Sequence, residues 1–217
     1  MAAQKEYLTV GSIGKGEYTE KKSRFLGEIH PVSTEEEAAA VVSQARKRYY
    51  DARHHCYAYL MGEDGEIKKY GDDGEPQGTA GLPMLAVLEG RGLTDCLVIV
   101  TRYFGGTLLG TGGLVRAYSA AAEAAIAEAA FAVKIPAVRL SVKTDYKNEG
   151  AVRRICDNAA DRGVSIEIAG VDYAEGCDIT VNVESSEADA LDKNLTEALS
   201  GQVVTEKKDE FFMMKEV

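Results

Sequence analysis

The sequence predicts an α+β protein of two units, the second built in the order βαββαβ. Three observations lead there. The chain has 217 residues, more than one typical domain and fewer than three. Its patterns stop at Lys134-Ile135-Pro136 and restart as an alternating strand at Val138. Beyond Val138 the chain switches repeatedly between period-two and helical spacing. The expected boundary separates residues 1–134 from residues 135–217.

In the first unit, Glu6 to Val10, Gly16 to Thr19 and Arg24 to Pro31 read as short strands of a curled antiparallel sheet, separated by glycine or charge. A helix comes next, capped by Ser33 or Thr34, with three glutamates in its first turn and Arg46-Lys47-Arg48 at its end, both suited to the helix dipole. Its apolar stripe is Ala38, Val41, Val42, Ala45 and Tyr49. His54 to Met61 alternates as a strand, Gly62 to Gly65 turns, and DDGEPQGTAGLP forms a loop ahead of a short helix ending near Glu89. Cys96 to Thr101 is a buried strand. A glycine-rich turn then leads into an alanine-rich helix from about Leu114 to Ala130.

The second unit reads as a strand at Val138 to Thr144, a helix near Asn148 to Arg162, strands Val164 to Ala169 and Cys177 to Val183, a helix Glu187 to Leu199 and a strand Val203 to Met213. That order describes a ferredoxin-like split βαβ sandwich.

Composition narrows the function classes. The net charge is −10, with 14 Lys/Arg against 18 Asp/Glu in residues 1–133 and 11 against 17 in residues 134–217, so any nucleic-acid binding must use a local patch. Cys56, Cys96, Cys156 and Cys177 form no C-x-x-C pair, which excludes a zinc ribbon and a thioredoxin motif and fits reduced thiols in the cytoplasm. The first residues lack a signal peptide's apolar region, and no apolar run is long enough to span a bilayer, so no membrane association is expected.

Five constellations carry candidate chemistry, each with a bland alternative. Gly105, Gly106, Gly110, Gly112 and Gly113 join a strand to a helix, where backbone N–H groups and the dipole favour an anion; the same glycines would permit close backbone packing. Thr111 and Gly112 stand where a P-loop needs Lys and Ser/Thr, so nucleotide hydrolysis of that type lacks its lysine. Arg102 and Arg116 flank the turn and would face a phosphate or an acidic partner, or else pair with Asp72, Asp73 or Glu75. Those three carboxylates suit Mg²⁺ or acid/base work, and D-G-E-P is equally good turn chemistry. His54 and Cys56 share one strand face, as a nucleophilic pair or as buried structural residues. Finally Lys21, Lys22 and Arg24, with Arg46, Lys47, Arg48 and Arg53, would form a basic face beside Tyr49, Tyr50 and Tyr57, suited to RNA, or remain ordinary solvated charge.

Lys22-Ser23-Arg24-Phe25, the A-R-H-H-C-Y-A-Y stretch from Ala52, DDGEPQGTAGLPML from Asp72 and VTRYFGGTLLGTGGLVRAY from Val100 together resemble the Impact/YigZ family. The resemblance implies a first unit with the fold of the second domain of ribosomal protein S5 and a second unit like the fifth domain of elongation factor G. Eukaryotic relatives regulate translation under amino-acid starvation as binding proteins, through an RWD module that has no counterpart in these residues. The particular partner therefore does not carry over. What carries over is an expectation of a translation-associated protein binding RNA, a ribosome or a ribosome-associated protein, with His54, Asp72, Asp73, Glu75, Arg102, Gly105, Gly106, Gly110 and Arg116 as site positions without assigned roles and no cofactor or metal. The alternative is an enzyme acting on a phosphorylated small molecule, the glycine turn holding phosphate and the Asp/His cluster acting beside it.

Overall fold

The structure, a computed structural model, describes residues 4–174 and 176–216. The chain divides into two compact units, Glu6–Val133 and Lys134–Lys215. Its elements are β1 (Tyr7–Val10), β2 (Gly14–Glu20), β3 (Ser23–Pro31), α1 (Glu35–Arg48), β4 (His54–Met61), β5 (Ile67–Gly71), α2 (Gly81–Gly90), β6 (Cys96–Tyr103), α3 (Gly110–Ala127), β7 (Phe131–Thr144), α4 (Glu149–Asp161), β8 (Ile166–Ala174), β9 (Gly176–Glu184), α5 (Ala188–Ala198) and β10 (Val203–Glu216).

The first unit is a sheet of order β2-β3-β6-β4-β5 with helices on both faces. Strand β6 lies at its centre and alternates completely. Cys96, Val98 and Val100 enter the core under α2 and α3, while Leu97 and Ile99 pack with Ala38, Val42 and Ala45 of α1. Thr34 caps α1, accepting from the Glu37 N–H at 3.2 Å. Helix α3 seats directly on glycines. A Cβ on Gly27 would stand 2.3 Å from the Ala121 carbonyl oxygen, and one on Gly16 2.4 Å from the Ala124 carbonyl carbon.

Three elements depart from the sequence pattern. Strand β5 is an edge strand of mostly exposed residues, Ile-Lys-Lys-Tyr-Gly, with no buried alternation to announce it. Helix α3 starts at Gly110, a turn earlier than its apolar stripe, because Gly110, Gly112 and Gly113 have poor intrinsic helix propensity yet sit within its first turn. Pro136 does not interrupt β7. The ladder of β7 with β9 begins at Ala137, so the proline removes no donor from it.

The other sheet has the order β1-β7-β9-β8, with β10 also paired to β7; β1, expected from the sequence in one sheet with β2 and β3, pairs with β7 instead, and the strands that follow Phe131 run in the order β10-β7-β9-β8. Val138, Leu140 and Val142 of β7 and Ile179, Val181 and Val183 of β9 share a core with Val152 and Cys156 of α4 and with Leu191 and Leu195 of α5. No helix of the described residues is long and apolar enough to cross a membrane.

Candidate functional site

The four sequence blocks meet at one end of the first unit's sheet. Antiparallel register puts Arg24 opposite Tyr103 and His54 opposite Arg102, so the β2–β3 hairpin tip, the end of β6 and the start of β4 lie together. Lys21 and Lys22 form the two-residue tip between Glu20 and Ser23, both at positive φ (44° and 67°), the backbone such a tight hairpin demands. Gly105 abuts that tip, since a Cβ there would meet the Lys22 carbonyl carbon at 2.1 Å. The turn Asp72 to Glu75 closes with the Glu75 N–H donating to Asp72 O at 2.9 Å, its centre again at positive φ in Asp73 and Gly74. Asp73 O accepts from His54 Nδ1 at 2.8 Å.

Beneath this surface lies a buried polar network. Arg102, 5% exposed, donates from Nη1 to Glu75 Oε1 at 2.5 Å, and the Glu75 side chain is 4% exposed. The Tyr118 hydroxyl donates to the same oxygen at 2.9 Å, and His54 Nε2 lies 3.8 Å from it. Arg102 Nη2 and the Gly105 N–H both donate to Ser23 Oγ, at 3.4 and 3.1 Å. Cys56 Sγ stands 3.0 Å from Asp72 O and 3.3 Å from the Tyr118 hydroxyl. Burial pushes the Cys56 thiol and the Tyr118 phenol well above their ordinary ranges, so both stay protonated. A protonated, fully buried thiol is a poor nucleophile.

Several of the candidate residues hold structural contacts. Asp72 is a cap whose carboxylate accepts from the N–H groups of Gly78, Ala80 and Gly81 at 2.8, 3.1 and 2.8 Å, pinning the start of α2. Asp73 pairs with Arg46 at 2.7 Å and accepts from the His55 N–H at 2.7 Å. Among the described residues no group of three or more His, Cys, Asp and Glu side chains is placed to hold a metal. Four concavities, of about 640, 540, 470 and 340 Å³, are lined by none of His54, Asp72, Asp73, Glu75 or Arg102. Of the two readings of Arg102, a ligand contact or a pairing with a nearby carboxylate, the folded chain shows the pair with Glu75, as an arginine this deep needs a carboxylate partner.

The basic face is divided as well. Arg24 pairs with Glu17 at 2.8 Å. Arg48 and Lys15 turn to Glu28, whose side chain also accepts from the Tyr49 hydroxyl at 3.0 Å and meets His30 Nε2 at 3.2 Å. Left without an ion pair among the described residues of the first unit are Lys21, Lys22 and Arg53 at this end of the sheet, Arg116, whose Nη1 would lie 3.8 Å from a Cβ on Gly112, and Lys47 on α1. Helix α3 opens after Leu109 with no side chain capping it. Sequence reasoning missed Phe104, Ser23 and Tyr118; an aromatic directly before the glycine pair was the available signal for Phe104.

Glu28 gives the unit a titration signature. Its hydrogen bond from His30, with those from Tyr49 and the nearby Lys15 and Arg48 charges, lowers its pKa from 4.5 to about 2. A lowered folded-state value means that ionised Glu28 stabilises the fold above pH 4.5 and that this contribution is lost as pH falls from 4.5 toward about 2. Urea unfolding midpoints should fall across that window, and fall less steeply in Glu28→Gln.

Comparison with known proteins agrees with this layout. The Impact N-terminal domain family model matches residues 21–126, which contain all four blocks. IMPACT family member YvyE of Bacillus subtilis is 36% identical over 196 residues, 90% of this chain and 88% of its own. IMPACT family member YigZ of Escherichia coli is 42% identical over 128 residues, 58% of this chain and 63% of its own. A crystal structure described as that of a hypothetical protein superposes with a TM-score of 0.67 at 29% identity, covering 95% of this chain and 99% of that one. With the blocks gathered at one sheet end and the match to YvyE running through both units, the chain belongs to the IMPACT family.

Proposed function

We propose that this chain is a translation-associated binding protein of the cytoplasm that engages RNA through the hairpin-tip end of its first unit. The observation that carries the reading is the distribution of free cations. In the first unit Lys15, Arg24, Arg46, Arg48, Lys68, Lys69, Arg91 and Arg102 each hold a carboxylate, whereas Lys21, Lys22, Arg53 and Arg116 about the glycine turn, and Lys47 on α1, hold none among the described residues. An acidic chain that leaves a group of cations uncompensated on one surface offers it to an anionic partner. The uncapped start of α3 adds backbone donors and a favourable dipole to the same surface.

The strand order β10-β7-β9-β8, with α4 and α5 on one face, supports reading the second unit as ferredoxin-like. The five-stranded sheet of the first supports the likeness to the second domain of ribosomal protein S5. The enzyme alternative needs His54 and Glu75 facing a cleft. Their engagement with Asp73 O, Arg102 and Tyr118 below the surface favours the binding reading.

Binding to ribosomes or structured RNA should weaken with salt. With about four phosphates engaged, affinity falls by roughly three to four tenfold steps per tenfold rise in salt. Replacing Lys21 and Lys22 together with alanine should reduce that slope by about two. Cosedimentation at two salt concentrations, for wild type and double variant, reads both. Salt-insensitive binding that is identical in the two proteins, or none at low salt, sinks the reading.

A further inference from the structure

We infer that Phe104 is a stacking platform for an unpaired base, which makes single-stranded or looped RNA, not duplex, the ligand of this surface; the inference rests on the RNA reading above and deepens it. The geometry is a cluster of two rings and two guanidinium groups at the sheet end, reaching from the core to the surface. Phe25 is fully buried, the Arg102 guanidinium carbon lies 5.2 Å from its ring centroid and 5.6 Å from that of Phe104, and the Arg53 guanidinium carbon lies 5.6 Å from Phe104. The inner rungs are anchored. Arg102 is tied at Nη1 to Glu75 and at Nη2 to Ser23, and the Arg53 N–H donates to Arg102 O at 3.2 Å.

Phe104 itself is 40% exposed, an apolar ring kept partly in water at the outer end of this support. A phenylalanine whose purpose was packing would turn toward the core that Phe25 occupies. A ring that is partly open to solvent and lies beside a guanidinium holding no ion pair suits a planar, electron-rich ligand that accepts both a π-face and a cation. Bases in a duplex already stack on their neighbours and cannot use such a ring, whereas bases of loops and single strands can. The adjacent Gly105 abuts the Lys22 backbone, so the platform borders the unpaired lysines that would hold the flanking phosphates. Leu108, in the same turn, is 84% exposed.

The chain contains no tryptophan, so Phe104→Trp places a single fluorescent reporter at the platform. The experiment measures the anisotropy of a labelled oligouridylate and of a blunt RNA duplex of equal length with wild type, Phe104→Ala and Phe104→Trp, each checked for an unchanged thermal unfolding curve. Wild type should prefer the single strand. Phe104→Ala should weaken the single strand by roughly 5- to 150-fold, the range for one stacked base, while leaving duplex binding and the salt slope as they were. Phe104→Trp should retain single-strand affinity, and its emission should be quenched by the oligouridylate and not by the duplex. Equal affinity for both RNAs with no effect of Phe104→Ala overturns the platform and leaves the phosphate contacts standing. Equal loss of both RNAs in Phe104→Ala, with no quenching in Phe104→Trp, also overturns it, since the ring would then only shape the surface. Binding of neither RNA by wild type overturns the RNA reading together with the platform.

Discussion

Arg102→Ala is expected to destabilise the first unit by about 3–5 kcal/mol, the cost of leaving one partner of a buried ion pair uncompensated. Glu75 would keep its Tyr118 hydrogen bond, but a carboxylate that is 4% exposed would have lost the guanidinium against it. Glu75→Gln tests the same pair from the other side and leaves the guanidinium without its counter-charge. The double variant Arg102→Met with Glu75→Leu should be clearly more stable than either single variant, because it removes both charges from a site that apolar side chains can fill. Urea unfolding of Arg102→Met, Glu75→Leu and their double variant gives the coupling. A double variant whose loss equals the sum of the two single losses would mean that the pair contributes nothing beyond its separate side chains.

Gly27→Val is expected to cost about 3 kcal/mol or to prevent folding, because the new side chain would meet the backbone of α3 rather than a movable side chain. The clash begins at Cβ, 2.3 Å from Ala121 O and 3.0 Å from its carbonyl carbon, so even Gly27→Ala should be poorly tolerated. Gly150→Ala is the contrasting control. Gly150 lies within α4 with nothing within 4 Å of an added Cβ, and alanine there should stabilise by roughly 0.5–1 kcal/mol through its better helix propensity. Thermal unfolding should therefore move in opposite directions for the two glycine-to-alanine changes. Equal effects would show that α3 can shift away from the sheet at little cost.

Local chemistry was readable wherever it was local. The Thr34 cap, the alternation of β4 and β6, the turn at Asp72 to Glu75 and the order of strands and helices after Val138 arise from spacing within a few residues. The hairpin tip at Lys21-Lys22 was harder to read. Two lysines at positive φ carry none of the Asn or Gly signal that marks such turns, and the tight register of β2 on β3 imposes the conformation. The exposed edge strand β5 escaped for a related reason, since its pairing with β4 buries little of its own side-chain surface.

Among the candidate residues, the order of amino acids was enough to mark one loop, one glycine turn and one basic hairpin as unusually dense in function-bearing side chains, and to require that an acidic chain bind any nucleic acid through a restricted patch. It could not say which cations were free. Whether Arg102 served a ligand or a carboxylate depended on Glu75, 27 positions away, and Ser23 is joined to Gly105 across 82 positions. Those pairings exist only in the folded chain, because charge compensation acts over a few ångströms of space whatever the separation along the sequence. The same proximity left Lys21, Lys22, Arg53 and Arg116 without ion pairs among the described residues and stood Phe104 on a buried arginine at the surface.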